Sequence, residues 1–157
     1  MYDVVALGEL LIDFTENGKS EQGNQLLEVN PGGAPCNVLA MLSKLGKKTA
    51  FIGKVGQDMF GSLLKRTLDE VGISSENLFV DEQVKTTLAF VHTFPDGDRE
   101  FSFYRNPGAD MMLTEENLRE MLCFANAGAA LVTLKKGAIR GMPDMKMIQQ
   151  FIHNNQK

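Results

Sequence analysis

The segment that decides the fold reads Asn30-Pro31-Gly32-Gly33-Ala34-Pro35-Cys36-Asn37. Its prolines and paired glycines predict an irregular stretch, because proline lacks an amide hydrogen and glycine is costly to hold in regular structure. Apolar residues then recur at helical spacing from Val38 to Leu45, and Gly46 is typical of a helix C-terminus. We therefore expect a glycine loop that opens directly into a helix, where a ligand can approach the backbone closely.

An apolar stretch precedes this loop and ends at a carboxylate. Residues 4–7 form a short, β-branched apolar run, which predicts a strand buried in a covered sheet. The apolar character continues through residues 10–12, and Asp13 follows. In α/β sheets, ligand contacts gather beyond the ends of strands. Asp13 is therefore a candidate acceptor for neighbouring hydroxyl groups, and Asn37 offers both an amide donor and a carbonyl acceptor.

Spacing alone leaves two interpretations of these polar residues open. In the first, Asp13, Gly32, Gly33 and Asn37 form a site for a polyol such as a sugar, without metal ligands. In the second, the two glycines only make a turn, Asn37 starts a helix and Asp13 is a solvated carboxylate. Short glycine motifs do not choose between the two.

The rest of the chain predicts alternating strands and helices. Turn residues, capping residues and hydrophobic periodicity set the boundaries. The predicted elements are an exposed loop at 15–25, a strand at 49–52, a loop at 53–58, a helix at 60–71 capped by Asp58 and ended by Gly72, a β hairpin around Pro95-Asp96-Gly97-Asp98, a helix from 114 to 127, a strand or helix end at 131–134, and a helix at 145–153.

Composition excludes several classes of function. The 157 residues are 43% hydrophobic and 23% charged, with a net charge of -4, as in an ordinary globular protein. Lysine and arginine form no long run, which argues against a nucleic-acid partner. No apolar stretch approaches the roughly 20 residues of a membrane span, and the N-terminus resembles no secretory signal. Two cysteines and two scattered histidines predict a cytoplasmic protein without a zinc site.

Four blocks of sequence, in the same order, resemble the ribokinase-like (PfkB) sugar kinases. Residues 30–46 and 53–61 are similar to the first motif of that family, and residues 8–14 to its N-terminal strand and substrate aspartate. Residues 101–111, Phe-Ser-Phe-Tyr-Arg-Asn-Pro-Gly-Ala-Asp-Met, are very similar to the plant-type fructokinase branch. The resemblance covers residues 1 to about 113 almost without a gap.

The resemblance implies a fold and a site. The fold is a twisted α/β sheet flanked by helices with a small β lid, here residues 15–30 and 84–105. The implied sugar-binding residues are Asp13, Gly32, Gly33 and Asn37, joined from the lid by Phe103 and Arg105. Phe90 is a further lid candidate. The alternative for Phe90 and Phe103 is packing within the strands. The alternative for Arg105 is a surface ion pair. We expect His92 to be only a strand residue.

The implied reaction is ATP-dependent phosphorylation of D-fructose to fructose 6-phosphate, which feeds carbohydrate metabolism and starch synthesis. ATP and Mg²⁺ are the implied cofactors, with a monovalent cation site in some members. A homodimer or heterodimer through the β lid is the implied assembly.

The chain departs from that family at the catalytic centre. The family's Gly-Ala-Gly-Asp loop, whose aspartate is the general base, is absent, and no Gly-x-x-x-x-Gly-Lys-Ser/Thr loop replaces it. Residues from about 114 resemble the C-terminal end of a fructokinase, where Asn126 would border the adenine site. We therefore expect one incomplete domain over residues 1–157, with a join near 113–118 and no catalytic residue of its own.

Three interpretations follow from this departure. The chain is a fructokinase by descent with impaired activity, a non-catalytic sugar-binding or dimerising remnant, or the unstable product of a decayed or alternatively spliced gene. Loss of the central part would also leave the strands at 4–7 and 49–52 without neighbours.

Overall fold

The computed structural model describes residues 2–94, 96–118 and 145–155. The chain divides into two compact units, residues 1–113 and 114–157. Strands and helices alternate in the first unit, which confirms the predicted α/β class. Its elements are β1 (Val4–Leu7), β2 (Leu11–Lys19), β3 (Gln25–Gly32), α1 (Ala34–Lys44), β4 (Thr49–Gly56), α2 (Met59–Val71), β5 (Ile73–Asp81), β6 (Leu88–Thr93), β7 (Arg99–Tyr104) and the 3-10 helix Ala109–Met112.

One sheet of the first unit is parallel, in the order β1-β4-β5. Strand β4 lies in the middle and every one of its residues is buried. The expectation that residues 49–52 would lack neighbours is therefore wrong, because β1 and β5 pair with β4 on both sides. Phe51 and Val55 of β4 enter a core that also contains Leu39 of α1 and Leu64 of α2.

Strand β1 differs from the buried strand that the sequence predicted. Val4 and Ala6 pack against the core, whereas Val5 is 49% and Leu7 52% exposed. The reason is position: among the described residues β1 pairs with β4 alone, so it is an edge strand whose alternate side chains face away from the core.

The second sheet has the order β3-β2-β6-β7. The β2–β3 and β6–β7 pairs are antiparallel and the central β2–β6 pair is parallel. The hairpin predicted around residues 95–98 is confirmed. Most of residues 15–30 and 84–105 lies in this sheet, with β2 beginning earlier, at Leu11.

Three stretches predicted as loops contain regular structure instead. Strand β2 continues to Lys19, so residues 15–19 are not a loop, and the polar side chains after Thr15 are exposed. Strand β3 reaches Gly32 through Pro31, which an edge strand tolerates. Helix α1 begins at Ala34 with Pro35 in its first turn, where proline costs no hydrogen bond. Strand β4 runs on to Gly56.

Strand β2 separates the core from the opposite face of the second sheet. Ile12 is fully buried in the core, and Phe14 packs against the core and meets the ring of Phe60 on α2 at 5.7 Å. Asp13 and Thr15 alternate with them and point to the other face. The strand thereby places polar side chains on the face that forms the site.

The second unit is described at its two ends. Thr114 caps a helical turn at 115–118: its Oγ1 accepts from the Asn117 amide, while the Asn117 side chain accepts from the Thr114 amide. Helix α3 (Met145–Asn155) confirms the predicted last helix. The predicted continuation to residue 127 and the element at 131–134 lie outside the described residues. Within the described chain, no helix has the length and apolarity needed to cross a membrane.

Asp58 joins helix α2 to the segment just before β6. Its carboxylate accepts from the amides of Phe60 and Gly61, which confirms the predicted cap of α2, and from the amide and hydroxyl of Thr86 just before β6. Burial acts to raise the pKa of Asp58, but the hydrogen bonds from Thr86, Gly61 and Phe60 outweigh it and hold that pKa below its usual value.

We expect Asp58→Ala to lower the free energy of unfolding by about 1–3 kcal/mol, because a helix cap is lost and the Thr86 amide loses its acceptor. The folded-state pKa is depressed, so this contribution is present above about pH 4 and is lost as the pH falls through the folded-state value. Urea unfolding followed by circular dichroism at several pH values measures it. Glu21→Gln, in an exposed turn, is the control. The prediction is contradicted if the free energies of unfolding of wild type and Asp58→Ala differ by the same amount at neutral and at acid pH.

Candidate functional site

A cleft of about 560 Å³ lies on the face of the second sheet that points away from the core. Strands β2, β3 and β6 form its floor, the first turn of α1 closes one side, and the aromatic residues of β7 close the other. A volume in the range of roughly 300–1,000 Å³ is typical of small-molecule sites. The cleft is therefore large enough for a small polar ligand such as a monosaccharide.

Strand register assembles the polar floor of the cleft. Asp13 on β2 pairs with Asn30 on β3 and with Ala89 on β6, and Ala89 pairs with Phe103 on β7. Directly opposed residues share one face of a sheet, so an amide, a carboxylate and an aromatic ring form one row. The Asn30 side chain donates to Thr15 Oγ1 at 2.9 Å.

Asp13 lies in an electrostatically unfavourable place for a carboxylate. Partial burial raises its pKa, and the negative charge of nearby Glu9 raises it further. An acceptor that has lost water and faces a like charge gains when hydroxyl groups donate to it. Asp13 is thus arranged to accept hydrogen bonds from a neutral ligand.

Both glycines lie where a Cβ would meet another atom, a backbone oxygen at Gly33 and the end of a side chain at Gly32. A Cβ on Gly32 would collide with Oδ2 of Asp13, and a Cβ on Gly33 would collide with the carbonyl oxygen of Glu9. Gly33 also has φ of 128°, a conformation that L side chains rarely adopt. Glycine here lets the start of α1 lie directly against the connection between β1 and β2.

Helix α1 directs its N-terminus toward the cleft. Gly33 is its N-cap and no side chain caps this end, while Pro35 occupies the first turn. Gly33, Ala34 and Asn37 all line the cleft. The first amides of a helix lack intrahelical acceptors and carry partial positive charge. Pro35 has no amide hydrogen and the Asn37 amide donates to the Gly33 carbonyl, so the donors that this end offers in the cleft are the Ala34 amide and the Asn37 side chain.

The structure brings most of the predicted site residues together. Asp13, Gly33, Asn37 and Phe103 line the cleft, and Gly32 lies against Asp13 at its edge. Asn126 lies outside the described residues.

Arg105, Phe90 and His92 do not line the cleft. Arg105 Nη1 is 3.1 Å from Glu9 and 3.4 Å from Asp110. The ring of Phe90 lies on the opposite face of the sheet, stacked on Phe14 with ring centroids 4.9 Å apart, as the packing alternative expects. His92, on that same face, is 2.8 Å from Glu16.

Sequence reasoning missed several residues that line the cleft, among them Glu9, Asn30 and Phe101. Phe101 carried a usable signal, because it is two residues from Phe103 and must share its face of β7. The two rings stack at 6.2 Å. The position of Asn30 in the cleft follows only from its register with Asp13. The position of Glu9 there follows only from the backbone path around Gly33.

Metal-binding side chains are not clustered in the described part of the chain. Within 2–94, 96–118 and 145–155, no group of three histidine, cysteine, aspartate or glutamate side chains is arranged to hold a metal ion. A second cavity of about 170 Å³ between α1 and α2 is apolar and contains Cys36, whose pKa burial raises to about 11. A thiol with that pKa is unreactive at neutral pH.

Known proteins share this fold and much of the sequence. The pfkB family of carbohydrate kinases matches residues 1–116. "Probable fructokinase-5" of Arabidopsis thaliana is 47% identical over 122 residues, which cover 76% of this chain and 37% of that protein. The chain thus spans less than two fifths of the length of this curated relative.

Solved fructokinase structures resemble the chain as well. The fructokinase of Xylella fastidiosa with bound ATP superimposes with a TM-score of 0.70 and 32% identity, covering 79% of this chain and 40% of the other. The fructokinase of Vibrio cholerae O395 in its fructose-, ADP- and calcium-bound form superimposes with a TM-score of 0.63 and 31% identity. This match covers 72% of this chain and 35% of the other.

We expect Gly33→Ala to destabilise the chain more than Gly18→Ala does. Both glycines have positive φ, but a Cβ at Gly18 meets nothing within 4 Å whereas one at Gly33 meets the Glu9 backbone. Strain alone costs on the order of 1 kcal/mol, and the backbone collision adds to it. Urea unfolding of both variants measures the difference. Equal midpoints would show that the backbone does not pack tightly at Gly33.

Proposed function

Since the chain belongs to the pfkB family of carbohydrate kinases, we propose that its cleft is the sugar-binding site of a fructokinase. One observation carries the proposal: Asp13 faces the uncapped start of α1 within a single cleft. A carboxylate acceptor opposite amide donors suits the vicinal hydroxyl groups of a sugar, each of which both donates and accepts.

Each wall of the cleft has a role in this proposal. Asp13 accepts from two neighbouring hydroxyls of D-fructose, and Asn37 and the backbone at Gly32 and Gly33 contact the others. Phe103, stacked on Phe101, presents an apolar face to the C–H surface of the sugar. A site of this kind orients the ring, so that one hydroxyl is held for phosphorylation.

Charge favours a neutral sugar over a sugar acid. Glu9 and Asp13 place two carboxylates in this end of the cleft. The guanidinium of Arg105 is already shared between Glu9 and Asp110. Arg99 lies at the far end of β7, opposite Thr93. A ligand carboxylate beside Asp13 would therefore meet like charge, which costs free energy that a neutral ketohexose avoids.

The proposed reaction of the complete kinase is transfer of the γ-phosphoryl group of ATP to fructose, giving fructose 6-phosphate for carbohydrate metabolism and starch synthesis. In this chain the described residues bind and orient the sugar. Within the described residues no group of three histidine, cysteine, aspartate or glutamate side chains is arranged to hold a metal ion, and the sequence has no Gly-Ala-Gly-Asp loop to supply a base. We therefore propose that turnover by the 157-residue chain is impaired.

A second candidate is a non-catalytic protein that keeps the sugar site or dimerises through the lid. The exposed aromatic residues of β7 favour it, since Phe101 is 49% and Tyr104 67% exposed. We also propose that the protein dimerises and that it is located in the cytoplasm. An unstable gene product is the third candidate, and a chain without dispersed NMR signals would select it.

We expect fructose to shift amide NMR signals of residues around Asp13 and Asn37 in the full 157-residue chain. Asn37→Ala should weaken binding about tenfold, since a lost hydrogen bond to a polar ligand is worth about 1–2 kcal/mol. Asn24→Ala, in an exposed turn, is the matched control and should bind as wild type. Gluconate, which carries a carboxylate, should bind more weakly than fructose. Shifts that persist unchanged in Asn37→Ala would place the site elsewhere.

We expect no fructose-dependent formation of ADP by the same preparation. A missing general base typically removes about 10²- to 10⁴-fold in rate, and each missing oxyanion donor about 10²- to 10³-fold. A coupled assay for ADP, with fructose omitted as the control, measures this. Turnover of about one per second, within the ordinary range of kinases, that disappears in Asp13→Ala would refute the proposal of impaired activity.

A further inference from the structure

One guanidinium group joins three separate parts of the first unit behind the aromatic wall of the cleft. Arg105 directly follows β7, Glu9 lies between β1 and β2, and Asp110 lies in the 3-10 helix. Nη1 of Arg105 is 3.1 Å from Oε2 of Glu9 and 3.4 Å from Oδ2 of Asp110. These three residues, the Arg105 cluster, therefore tie the end of the lid hairpin to the body of the unit.

The inner member of the Arg105 cluster is fixed in place. The Asp110 side chain is only 5% exposed and accepts a hydrogen bond from Thr87 Oγ1 on its other oxygen. Gly108 leaves no room for a Cβ beside Thr87, and the Ala109 amide donates to the carbonyl of Lys85. A buried carboxylate needs a charged partner, so Asp110 holds Arg105 from the inside.

The outer member of the cluster belongs to the cleft. Glu9 lines the cleft and its side chain is 34% exposed. Its negative charge acts on Asp13. The positive charge of Arg105, which pairs with Glu9, offsets part of the Glu9 charge that acts on Asp13.

The guanidinium also supports the aromatic wall. Its central carbon lies 4.5 Å from the ring centroid of Phe103, a cation–π contact. Phe103 in turn stacks on Phe101. A single side chain thus contacts both the acidic and the aromatic side of the cleft without lining it.

We propose that Arg105 is a positioning residue that acts on Asp13 through Glu9. Held by Asp110, it neutralises Glu9 and steadies Phe103, so that Asp13 remains an ionised acceptor for sugar hydroxyls. The role in sugar binding rests on the proposed function, whereas the effect on Asp13 does not.

The charged groups that face Asp13 are few. Glu9 faces it from the β1–β2 connection, with Arg105 behind Glu9. From β3 the opposed residue is the neutral Asn30, and the first turn of α1 contains no acidic residue. Arg99 shares the cleft but lies at the opposite end of β7. Glu9 is therefore the group through which a change at Arg105 reaches Asp13.

The test is a ¹³C NMR titration of the Asp13 side-chain carboxyl in the full chain without sugar. We expect Arg105→Gln to raise the midpoint of this titration by at least about half a pH unit, a threefold change in proton affinity. Adding Glu9→Gln should reverse at least half of that rise. Arg105→Lys, which keeps the charge, should restore most of the wild-type midpoint. Arg66→Gln, on the exposed face of α2, should leave the midpoint unchanged.

A structural role alone would not produce this pattern. An unchanged midpoint in Arg105→Gln overturns the proposal, and a rise that Glu9→Gln does not reverse shows that Arg105 acts directly rather than through Glu9. Where Arg105→Gln does not fold, the double variant Arg105→Gln/Asp110→Asn takes its place. The single change leaves the buried charge of Asp110 unpaired, and the second change removes that charge.

Fructose binding by the same variants separates the two proposals. We expect Arg105→Gln to weaken binding at a pH near the titration midpoint of Asp13, where the shift changes the ionised fraction of its carboxyl, and the added Glu9→Gln to recover part of it. If wild type binds no fructose while the titration follows the expected pattern, the proposed function fails and the positioning role stands. If fructose binds and Arg105→Gln leaves both the affinity and the titration unchanged, the positioning role fails and the proposed function stands.

Discussion

The close approach of Gly33 to the carbonyl of Glu9 sets the geometry of the cleft. Strand β3 ends there, helix α1 begins there, and the connection between β1 and β2 passes directly beside it. No other residue type fits, because a Cβ has no space and φ is 128°. That one contact brings Asn37, at the start of α1, to the same cleft as Asp13 on β2, although neither residue is unusual by itself. The polar site is therefore a consequence of a backbone crossing.

Local signals in the sequence predicted the elements that local chemistry controls. Asp58 and Gly72 bound α2 because a cap and a left-handed terminus act within a few residues. The glycine pair and Asp13, predicted through family resemblance more than through spacing, lie together in one region of the fold. Strand β5 escaped prediction because its residues alternate only weakly between apolar and polar. The pairing of Glu9 with Arg105 could not be predicted, since the two residues are 96 positions apart and meet only after both sheets form.

Two different kinds of chemistry meet in the second sheet. On the side of the core, Phe14, Phe90 and Tyr104 form a chain of ring contacts that continues to Phe60 on α2. On the other side the same strands carry the polar floor of the cleft. The aromatic chain fixes the sheet to the body of the unit, and this rigidity is what allows a few polar groups to be held at a fixed spacing.

The alternation along β2 has an evolutionary consequence. Ile12 and Phe14 face the core, and Asp13 and Thr15 face the cleft, so neighbouring positions meet different physical requirements. Substitutions at the odd-numbered positions change what the cleft contacts while the packing of the core is kept. Substitutions at the even-numbered positions change stability first. A lineage carrying this strand can therefore diversify its ligands without rebuilding its fold, and relaxed selection on ligand binding would leave its trace at positions 13 and 15 before it reached 12 and 14.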